Sequence, residues 1–384
     1  MRLMLELAQG LLKRGHRVTI AVHDFSPGGE FEQATAGLEI RAVRTGPVAW
    51  MRHRADVARN YWVEMPKVGR LVPSDVEVIN SHDWLGLRPG RMAADRCGAS
   101  LVWTRNDETP WERGVCPADT IYGDPRIVVR GLRMAASLGD LRDARRADQI
   151  VVLSQRQVRI VRRSYGRAAV VSPMGPPAQF FDPPAREVAR KRLGIADGVF
   201  LVVAFGMLVS HRRFEHLIDT MAHLRDDAAI HALIGGSDHS DPGYADELQA
   251  RIAELGLTDR ITLPRRTLSD QEVKDTYAAG DIFAIFNKRY AWGLAPLEAL
   301  ASGTPTLISD GAQVADVLAG RPGVAVEPMD DPAATAAAIT RWRRGEGRIG
   351  IEATRDWMRQ ELSMDAYVTR MEAVYEAAIA SNRR

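Results

Sequence analysis

The feature that most constrains this chain is a regular alternation of strand-like and helix-like segments across its second half. Val199–Phe205 is a continuous apolar run rich in β-favouring residues, as expected of a strand that is buried on both faces. Phe214–Leu224 then shows the spacing of an amphipathic helix. Strand and helix alternate six times from this point onward. This alternation predicts a parallel, doubly wound α/β sheet.

The later strands of this half are bounded by glycine, proline and polar residues. They are predicted at Ile230–Ile234, Ile261–Leu263, Asp281–Phe286, Thr306–Ser309 and Val324–Val326. A helix is predicted to begin at Ser269, because Glu272 follows at the spacing of a capping box. Another helix is predicted over Leu294–Ala301, where Gly303 and Pro305 end it.

The first half alternates less cleanly and begins with a helix, Arg2–Lys13. Its strands are predicted at Arg17–Val22, Leu38–Val43, Val76–Asn80, Leu101–Thr104, Ile150–Leu153 and Ala169–Ser172. A doubly wound domain ordinarily opens with a strand and a glycine-bearing loop. We therefore expect that the first strand is absent, or that the start is mis-assigned and an in-frame strand and glycine loop lie upstream.

A proline-rich stretch, Ser172–Pro177, marks the best candidate linker. It divides the chain near residue 180 into two similar halves, which predicts domains at residues 1–180 and 181–354. The final segment, Arg355–Ala380, is predicted to be one long amphipathic helix or a kinked pair.

Charge and cysteine content narrow the function class. The chain has 51 Lys and Arg against 49 Asp and Glu, a net charge of +2, which excludes a protein built mainly to coat nucleic acid. No apolar run reaches the roughly 18 residues that span a bilayer, and no signal-peptide cleavage region follows the N-terminus. Two cysteines in 384 residues fit a reducing compartment. We expect a cytoplasmic, two-domain enzyme.

The strongest local motif runs from Trp292 to Pro305. Gly293 falls at a strand-to-helix junction, and Glu298 follows about one turn inside the helix. Free amide groups at a helix start can hold an anion, and a nearby carboxylate can accept from the hydroxyls of a ribose. The alternative is a tight turn followed by a solvent-facing glutamate.

This stretch resembles the retaining glycosyltransferases of family 4, which have the two-domain GT-B fold. Their pattern is E-x-F/W-G-L-x-x-x-E-A-x-A-x-G-x-P, where x is any residue. The matching positions are Trp292, Gly293, Leu294, Glu298, Ala299, Ala301, Gly303 and Pro305. The flanking segments Ala279–Phe283 and Ser309–Gly311 also match in order, so the resemblance covers nearly the whole C-terminal half.

The resemblance implies two facing Rossmann-like domains and an enzyme of carbohydrate biosynthesis. The nucleotide sugar would bind the C-terminal domain, the acceptor would bind the N-terminal domain, and the final helix, within residues 355–384, would cross back to the latter. The acceptor could be a small molecule, a glycan or a lipid-linked group. Trp292, Gly293 and Leu294 would line the donor site, and Glu298 would fix the ribose. No cofactor is implied beyond the donor substrate.

Two departures from the family pattern concern the donor. The first Glu of the family pattern, which bonds the donor sugar, is replaced by Tyr290. A phenol offers hydrogen bonds without a carboxylate's charge, so the preferred donor sugar is left open. The family's G-R-L-x-x-x-K-G motif reads Gly206-Met207-Leu208 and continues to Arg212, so methionine replaces the arginine.

Arg212 stands at the family's lysine position, where it would grip the leaving diphosphate, and Arg213 follows it. Guanidinium groups bind phosphate bidentately, and two of them at such a turn could compensate for Met207. The alternative is a pair of solvated arginines at a helix start. Gly235, after the next strand, resembles the family's second glycine turn, although a simple strand-ending turn is equally compatible with it.

Candidate acceptor-side residues follow two strands of the first half. His82-Asp83-Trp84 matches the end of a family motif, and His82 is placed where doubly wound sheets bind ligands. Asn106 stands where the family has a histidine on the next strand. The alternative for His82 is a structural histidine that caps a strand end.

The resemblance implies front-face attack by the acceptor, with catalysis by Arg212, His82, Asn106 and Tyr290. No Asp-x-Asp motif occurs, which argues against the metal-dependent single-domain glycosyltransferases, and no metal ligands are assigned. Two alternatives stay open at this point: a degenerate protein that binds a nucleotide sugar without transferring it, and a nucleotide-sugar epimerase.

Overall fold

The computed structural model describes residues 2–23, 35–43, 60–106, 138–239, 241–287, 292–328 and 330–383. Its strands are short and all their pairings are parallel. In chain order they are β1 (Thr19–His23), β2 (Glu39–Val43), β3 (Val78–His82), β4 (Ser100–Arg105), β5 (Gln149–Val152), β6 (Val170–Val171), β7 (Phe200–Phe205), β8 (Ile230–Gly235), β9 (Ile261–Thr262), β10 (Ile282–Ile285), β11 (Thr306–Ser309) and β12 (Val324–Glu327).

Helices connect and cover these strands. In chain order they are α1 (Arg2–Lys13), α2 (Met65–Leu71), α3 (Asp83–Cys97), α4 (Gln155–Tyr165), α5 (Arg186–Arg192), α6 (Phe214–His223), α7 (Pro242–Glu254), α8 (Asp270–Ala279), α9 (Ala295–Ala301), α10 (Ala315–Leu318), α11 (Pro332–Arg343), α12 (Ile351–Glu361) and α13 (Met364–Asn382). A π-helical turn over Asn60–Glu64 leads into α2.

The chain forms two compact units. One contains residues 1–174 together with 364–384, and the other contains residues 175–363. The boundaries expected from sequence were 180 and 354.

The second unit is built on one six-stranded sheet. Its strand order is β12-β11-β10-β7-β8-β9, and the chain reverses direction of winding at β7. Val202 and Val203 in β7 point to opposite faces, yet both are fully buried. Burial on both faces explains the continuous apolar run, and the predicted doubly wound sheet is confirmed. All six strands end at the same edge, where a ligand site is expected.

Local chemistry sets the helix boundaries in this unit. The predicted capping box of α8 is present: the Ser269 hydroxyl accepts from the Glu272 amide, and the Glu272 carboxylate accepts from the Ser269 amide at 2.9 Å. The α7 helix begins after Asp241, whose carboxylate accepts from the amide of Tyr244. Such caps satisfy amide groups that have no partner inside the helix.

The described strands of the first unit form two sheets instead of one. A two-stranded sheet joins β1 to β2, and a four-stranded sheet has the order β3-β4-β5-β6. Both sheets are parallel, as the alternation of strands and helices predicts.

The last segment of the chain is a pair of helices, α12 and α13, and the second belongs to the first unit. Arg14 of α1's C-terminal turn forms an ion pair with Asp365 at 2.5 Å and donates to the Thr369 hydroxyl at 2.8 Å. Near the other end of α13, the Tyr375 hydroxyl accepts from the side-chain amide of Asn80 in β3 at 2.8 Å. Within the described residues, no helix is both long and apolar enough to cross a membrane.

A close backbone approach at the ends of β7 and β8 yields a test of this arrangement. A Cβ added to Gly236 would lie 1.8 Å from the carbonyl oxygen of Gly206, so we expect Gly236→Ala to lower the melting temperature by several degrees. Gly243→Ala is the control, because it adds a methyl group inside α7 with its nearest neighbour 3.9 Å away. That variant should be neutral or slightly stabilising. Equal melting temperatures for the two variants would contradict the close approach.

Candidate functional site

The turn after β7 is shaped by glycines. The amide of Gly206 donates to the carbonyl oxygen of Gly235 at 3.0 Å, and Gly206 has a φ of +152°, which favours glycine. A side chain at this position would meet the guanidinium of Arg212, whose Cζ lies 3.5 Å from the place of the missing Cβ. The absent side chain therefore gives Arg212 room to lie over the end of the strand.

The neighbouring arginine has a different environment. Arg213 has a left-handed backbone, with φ +54°, and its guanidinium forms an ion pair with Asp330 at 2.5 Å. Its Nε also lies 3.4 Å from a Glu215 carboxylate oxygen. Met207, at the family's arginine position, is 52% exposed. The compensation for Met207 expected of Arg213 stays a prediction, since this guanidinium already has two carboxylate partners.

The Gly293 turn leads directly into α9. Gly293 has a φ of +70°, and Leu294 is the last residue before a helix of seven residues. Trp292 is buried beside this turn, and the amide of Glu298 donates to the Leu294 carbonyl oxygen at 2.9 Å. The anion site expected at this helix start stays a prediction.

Glu298 and Arg212 are linked through a tyrosine that the sequence motifs did not include. The hydroxyl of Tyr277, in α8, donates to the Glu298 carboxylate at 2.9 Å. Burial, and then the negative charge of Glu298, raise the pKa of this phenol well above its usual value, whereas the positive charge of Arg212 opposes the rise. Both predicted donor-site groups therefore act on the same phenol. The structure thus brings Gly206, Gly235, Arg212 and Glu298 to one region of the sheet edge.

Tyr290, the substitute for the family's first glutamate, lies outside the described residues.

Two buried amides at the same sheet edge were missed by the sequence analysis. Asn287 follows β10 and Gln313 follows β11; both are fully buried, and no polar atom of either side chain has a hydrogen-bond partner among the described residues. The Ser309 hydroxyl donates to the Asn287 backbone carbonyl at 3.3 Å, which ties the two strand ends together. The signal that could have found these amides is their position, within four residues after the end of a buried strand of a parallel sheet.

An amide buried without a partner destabilises the protein by about 1–3 kcal/mol. Because each side chain lacks partners for both its donor and its acceptor atoms, each could pair with a group that both donates and accepts. Hydroxyl groups and water molecules have this property, whereas a fully ionised phosphate only accepts.

In the first unit, the structure places His82 and Asn106 at the ends of neighbouring strands. Asp83, the first residue of α3, follows β3 directly and has a left-handed φ of +56°. Its backbone oxygen accepts from the indole of Trp103 at 3.0 Å, and its carboxylate accepts from the backbone amide of Asn106 at 3.0 Å. These bonds hold the ends of β3 and β4 together. The Nδ1 of His82 and the Oδ1 of Asn106 have no partner among the described residues.

The charge state of His82 follows from its surroundings. Burial lowers the pKa of the imidazole to about 4, although the nearby Asp83 carboxylate opposes this shift. At neutral pH the ring is uncharged and can act through hydrogen bonds. The unpartnered Nδ1 of His82 and the unpartnered Oδ1 of Asn106 make this strand end a candidate binding surface.

No cluster of three or more His, Cys, Asp or Glu side chains suited to a metal ion occurs in the part of the chain that the structure describes.

The low pKa of His82 predicts an acid-dependent loss of stability. Between about pH 6.5 and pH 4, the unfolded chain binds a proton at this histidine and the folded chain does not, so the free energy of unfolding falls as pH decreases through this window. His82→Gln removes the titrating group. We therefore expect its melting temperature to fall less than that of the wild type between pH 7.5 and pH 5.

The matched measurement is an NMR titration of the His82 ring in the wild-type protein. His216, whose pKa burial also lowers, is present in both variants and cancels in the comparison. An identical acid dependence in both proteins, or a His82 titration near pH 6.5, would show that the ring is not desolvated.

The unpartnered amide of Gln313 predicts a trade between stability and binding. Gln313→Met keeps the length of the side chain and removes its polar atoms, so it should raise the melting temperature of the ligand-free protein by about 3 °C. If the amide forms a hydrogen bond with a hydroxyl of the bound nucleotide sugar, that ligand should stabilise the variant less than it stabilises the wild type. The measurement is a thermal-shift titration.

Gln271→Met is the control, because the exposed Gln271 side chain already donates to Asp275 at 2.9 Å. It should produce no gain in melting temperature. A fall in melting temperature for Gln313→Met would mean that its amide has a partner in the free protein.

Comparison with known protein families is consistent with this geometry. The family described as "Glycosyl transferases group 1" matches residues 185–359, and "Glycosyltransferase Family 4" matches residues 2–175. The two matches together span most of the chain.

Relatives with similar sequences include two bacterial enzymes. A mannosylfructose-phosphate synthase of Agrobacterium fabrum is 24% identical over 345 residues, which covers 85% of this chain and 74% of that protein. A D-inositol 3-phosphate glycosyltransferase of Catenulispora acidiphila is 28% identical over 331 residues, covering 81% of this chain and 74% of the relative.

Solved structures show the same fold. A sucrose-phosphate synthase from Thermosynechococcus elongatus superposes with a TM-score of 0.78 at 18% identity, over 98% of this chain and 92% of that one. Anabaena HepE, solved in complex with UDP-glucose, gives a TM-score of 0.75 at 16% identity, over 98% and 95% of the two chains. Both family matches agree with the resemblance that the motifs around Gly206 and Gly293 predicted. The chain is a glycosyltransferase that belongs to family 4, with the GT-B fold and a nucleotide sugar as its donor.

Proposed function

We propose that this enzyme transfers a sugar from a nucleotide diphosphate sugar to an acceptor hydroxyl with retention of the anomeric configuration and without a metal ion. The observation that carries the proposal is the grouping of Arg212 and Glu298 around the buried hydroxyl of Tyr277, beside the glycine turn of Gly206. One cation and one carboxylate near the edge where doubly wound sheets bind nucleotides support the proposal.

Arg212 is the group proposed to meet the leaving diphosphate. Breaking a glycosyl–phosphate bond leaves a centre with positive character on the sugar and increasing negative charge on the phosphate. A guanidinium that is already in place stabilises this charge without reorganising, and its bidentate geometry matches phosphate oxygens. The glycine at position 206 leaves room for the Arg212 guanidinium at the end of the strand, where it would meet the phosphate.

Glu298 is proposed to accept hydrogen bonds from the ribose. A carboxylate is an acceptor only, and the two ribose hydroxyls are donors at the right spacing for its two oxygens. Gly235, Trp292, Gly293 and Leu294 would complete the donor surface, as the family resemblance implies.

We propose that the enzyme recognises the donor sugar without the carboxylate that the family has at the position of Tyr290. Tyr290 would supply one neutral hydrogen bond in place of the charged group. The buried amides of Asn287 and Gln313 lie on the same sheet edge and have donors and acceptors to offer to sugar hydroxyls. A donor site made of neutral groups would select a different pattern of hydroxyls from a site with a carboxylate.

The acceptor is proposed to bind the first unit, near His82 and Asn106. The neutral imidazole can accept or donate a hydrogen bond to a hydroxyl, which suits an uncharged nucleophile. Retention implies front-face attack, with the departing phosphate taking the acceptor proton. The names of two relatives make D-inositol 3-phosphate and sugar phosphates the first acceptors to test. A cytoplasmic location, as expected from the two cysteines, completes the proposal.

One observation favours a second candidate, a protein that binds the donor without transferring sugar. Met207 is exposed at the position where the family has a phosphate-binding arginine. Calorimetry with UDP-, GDP- and ADP-sugars, followed by a donor-hydrolysis assay, separates the two candidates. Binding without release of nucleoside diphosphate favours the second. Release of nucleoside diphosphate, with a product whose anomeric configuration by NMR is the same as that of the donor, favours transfer and argues against an epimerase.

Arg212→Ala tests the first candidate. Loss of one preorganised charge donor should reduce kcat by about 10²- to 10³-fold, because the diphosphate charge is greatest in the transition state. The measurement is steady-state turnover of the donor in the presence of EDTA.

Arg251→Ala is the matched control, since Arg251 forms a surface ion pair with Asp219 and should leave turnover within twofold of wild type. Arg213→Ala in the same assay tests whether the second arginine compensates for Met207. Normal turnover by Arg212→Ala would remove this residue from the mechanism, and loss of turnover on adding EDTA would contradict metal independence.

A further inference from the structure

We infer that Tyr277 is a positioning residue that fixes the Glu298 carboxylate for the nucleotide's ribose. The inference rests on the proposed function, because it concerns how Glu298 is held for that ligand. It rests on one hydrogen bond of 2.9 Å and on the rigid surroundings of its donor.

The phenol ring of Tyr277 is held on several sides. The residue is fully buried, and its ring meets Phe180, Phe205 and Phe283 edge-on, with centroid separations of 5.7, 6.3 and 5.6 Å. Its backbone carbonyl accepts from the Thr304 hydroxyl at 2.6 Å. A ring packed in this way cannot swing, so its hydroxyl marks a fixed point in the site.

The direction of the hydrogen bond is also fixed. Burial and the negative charge of Glu298 raise the pKa of the Tyr277 phenol well above its usual value, so the phenol carries its proton at neutral pH. The tyrosine must donate and the carboxylate must accept. One oxygen of Glu298 is thereby assigned to the protein, which determines how the carboxylate plane is presented to a ligand.

The nearby Arg212 makes the orientation of the Glu298 carboxylate matter for ligand binding. The positive charge of Arg212 lowers the pKa of this phenol against the effect of Glu298, so the guanidinium lies near the hydroxyl that holds the carboxylate. Loss of the hydroxyl would release the Glu298 carboxylate from its fixed orientation close to this cation. The carboxylate proposed for the ribose would then no longer be held in place.

The test is Tyr277→Phe, which removes one oxygen and keeps the packed ring. The probes are the most tightly bound of UDP, GDP and ADP and its 2′-deoxy analogue, measured by calorimetry. We expect the wild type to prefer the ribonucleotide by tenfold or more, since a hydrogen bond to a carboxylate is lost in the analogue. In Tyr277→Phe this preference should shrink below about threefold, mainly because the ribonucleotide binds more weakly.

A double-mutant cycle separates positioning from a general effect on folding. In a Glu298→Ala background, Tyr277→Phe should have no further effect on the ribo-to-deoxy preference, because its only route to the ribose has been removed. A purely structural role would weaken both nucleotides equally in both backgrounds.

The outcomes separate a failure of this inference from a failure of the proposed function. An unchanged preference in Tyr277→Phe, with wild-type binding intact, overturns the positioning role and leaves the proposed function standing. A wild-type protein that binds none of the three nucleoside diphosphates overturns the proposed function, and the inference with it.

Discussion

Burial of a parallel sheet on both faces is the constraint on which the rest of this structure depends. Helices cover both sides of the six-stranded sheet, so the only place left for polar chemistry is the edge where the strands end. Several of the described groups proposed to bind the donor lie at this edge. The turn at Gly206 comes directly after β7, and the buried amides Asn287 and Gln313 lie in the segments that follow β10 and β11. Tyr277 and Glu298 belong to the helices α8 and α9.

Local sequence patterns were enough to predict the strands and helices of this fold. The side-chain contacts between distant parts of the chain could not be predicted in this way. The apolar run of β7 and the capping box at Ser269 depend on neighbours within a few residues, and both are present as predicted. Tyr277 was missed because a tyrosine inside an amphipathic helix has the pattern of an ordinary core residue. Its partner, Glu298, lies 21 residues further along the chain. The ion pair of Arg213 could not be predicted either, because its partner Asp330 is 117 residues away along the chain.

The first unit shows how a strained residue can be maintained by its neighbours. A left-handed backbone at a residue other than glycine costs roughly 1–2 kcal/mol, and Asp83 has one. The indole of Trp103 and the amide of Asn106 bond to Asp83 and offset this cost. The motif around His82 indicated this strand end. The hydrogen bonds of Asp83 that join β3 to β4 depend on its left-handed φ angle, which the residue pattern did not predict.

The chain leaves one unit after Met174 and returns to it at Met364, which makes the second unit an insertion within the first. The two ends of that insertion lie side by side: a Cβ on Gly175 would fall 1.6 Å from the carbonyl oxygen of Leu362. Residues 175–363 therefore form a cassette whose ends already meet. Such a segment could be cut out, exchanged for the corresponding piece of a relative with another donor, or closed into a ring by a very short linker.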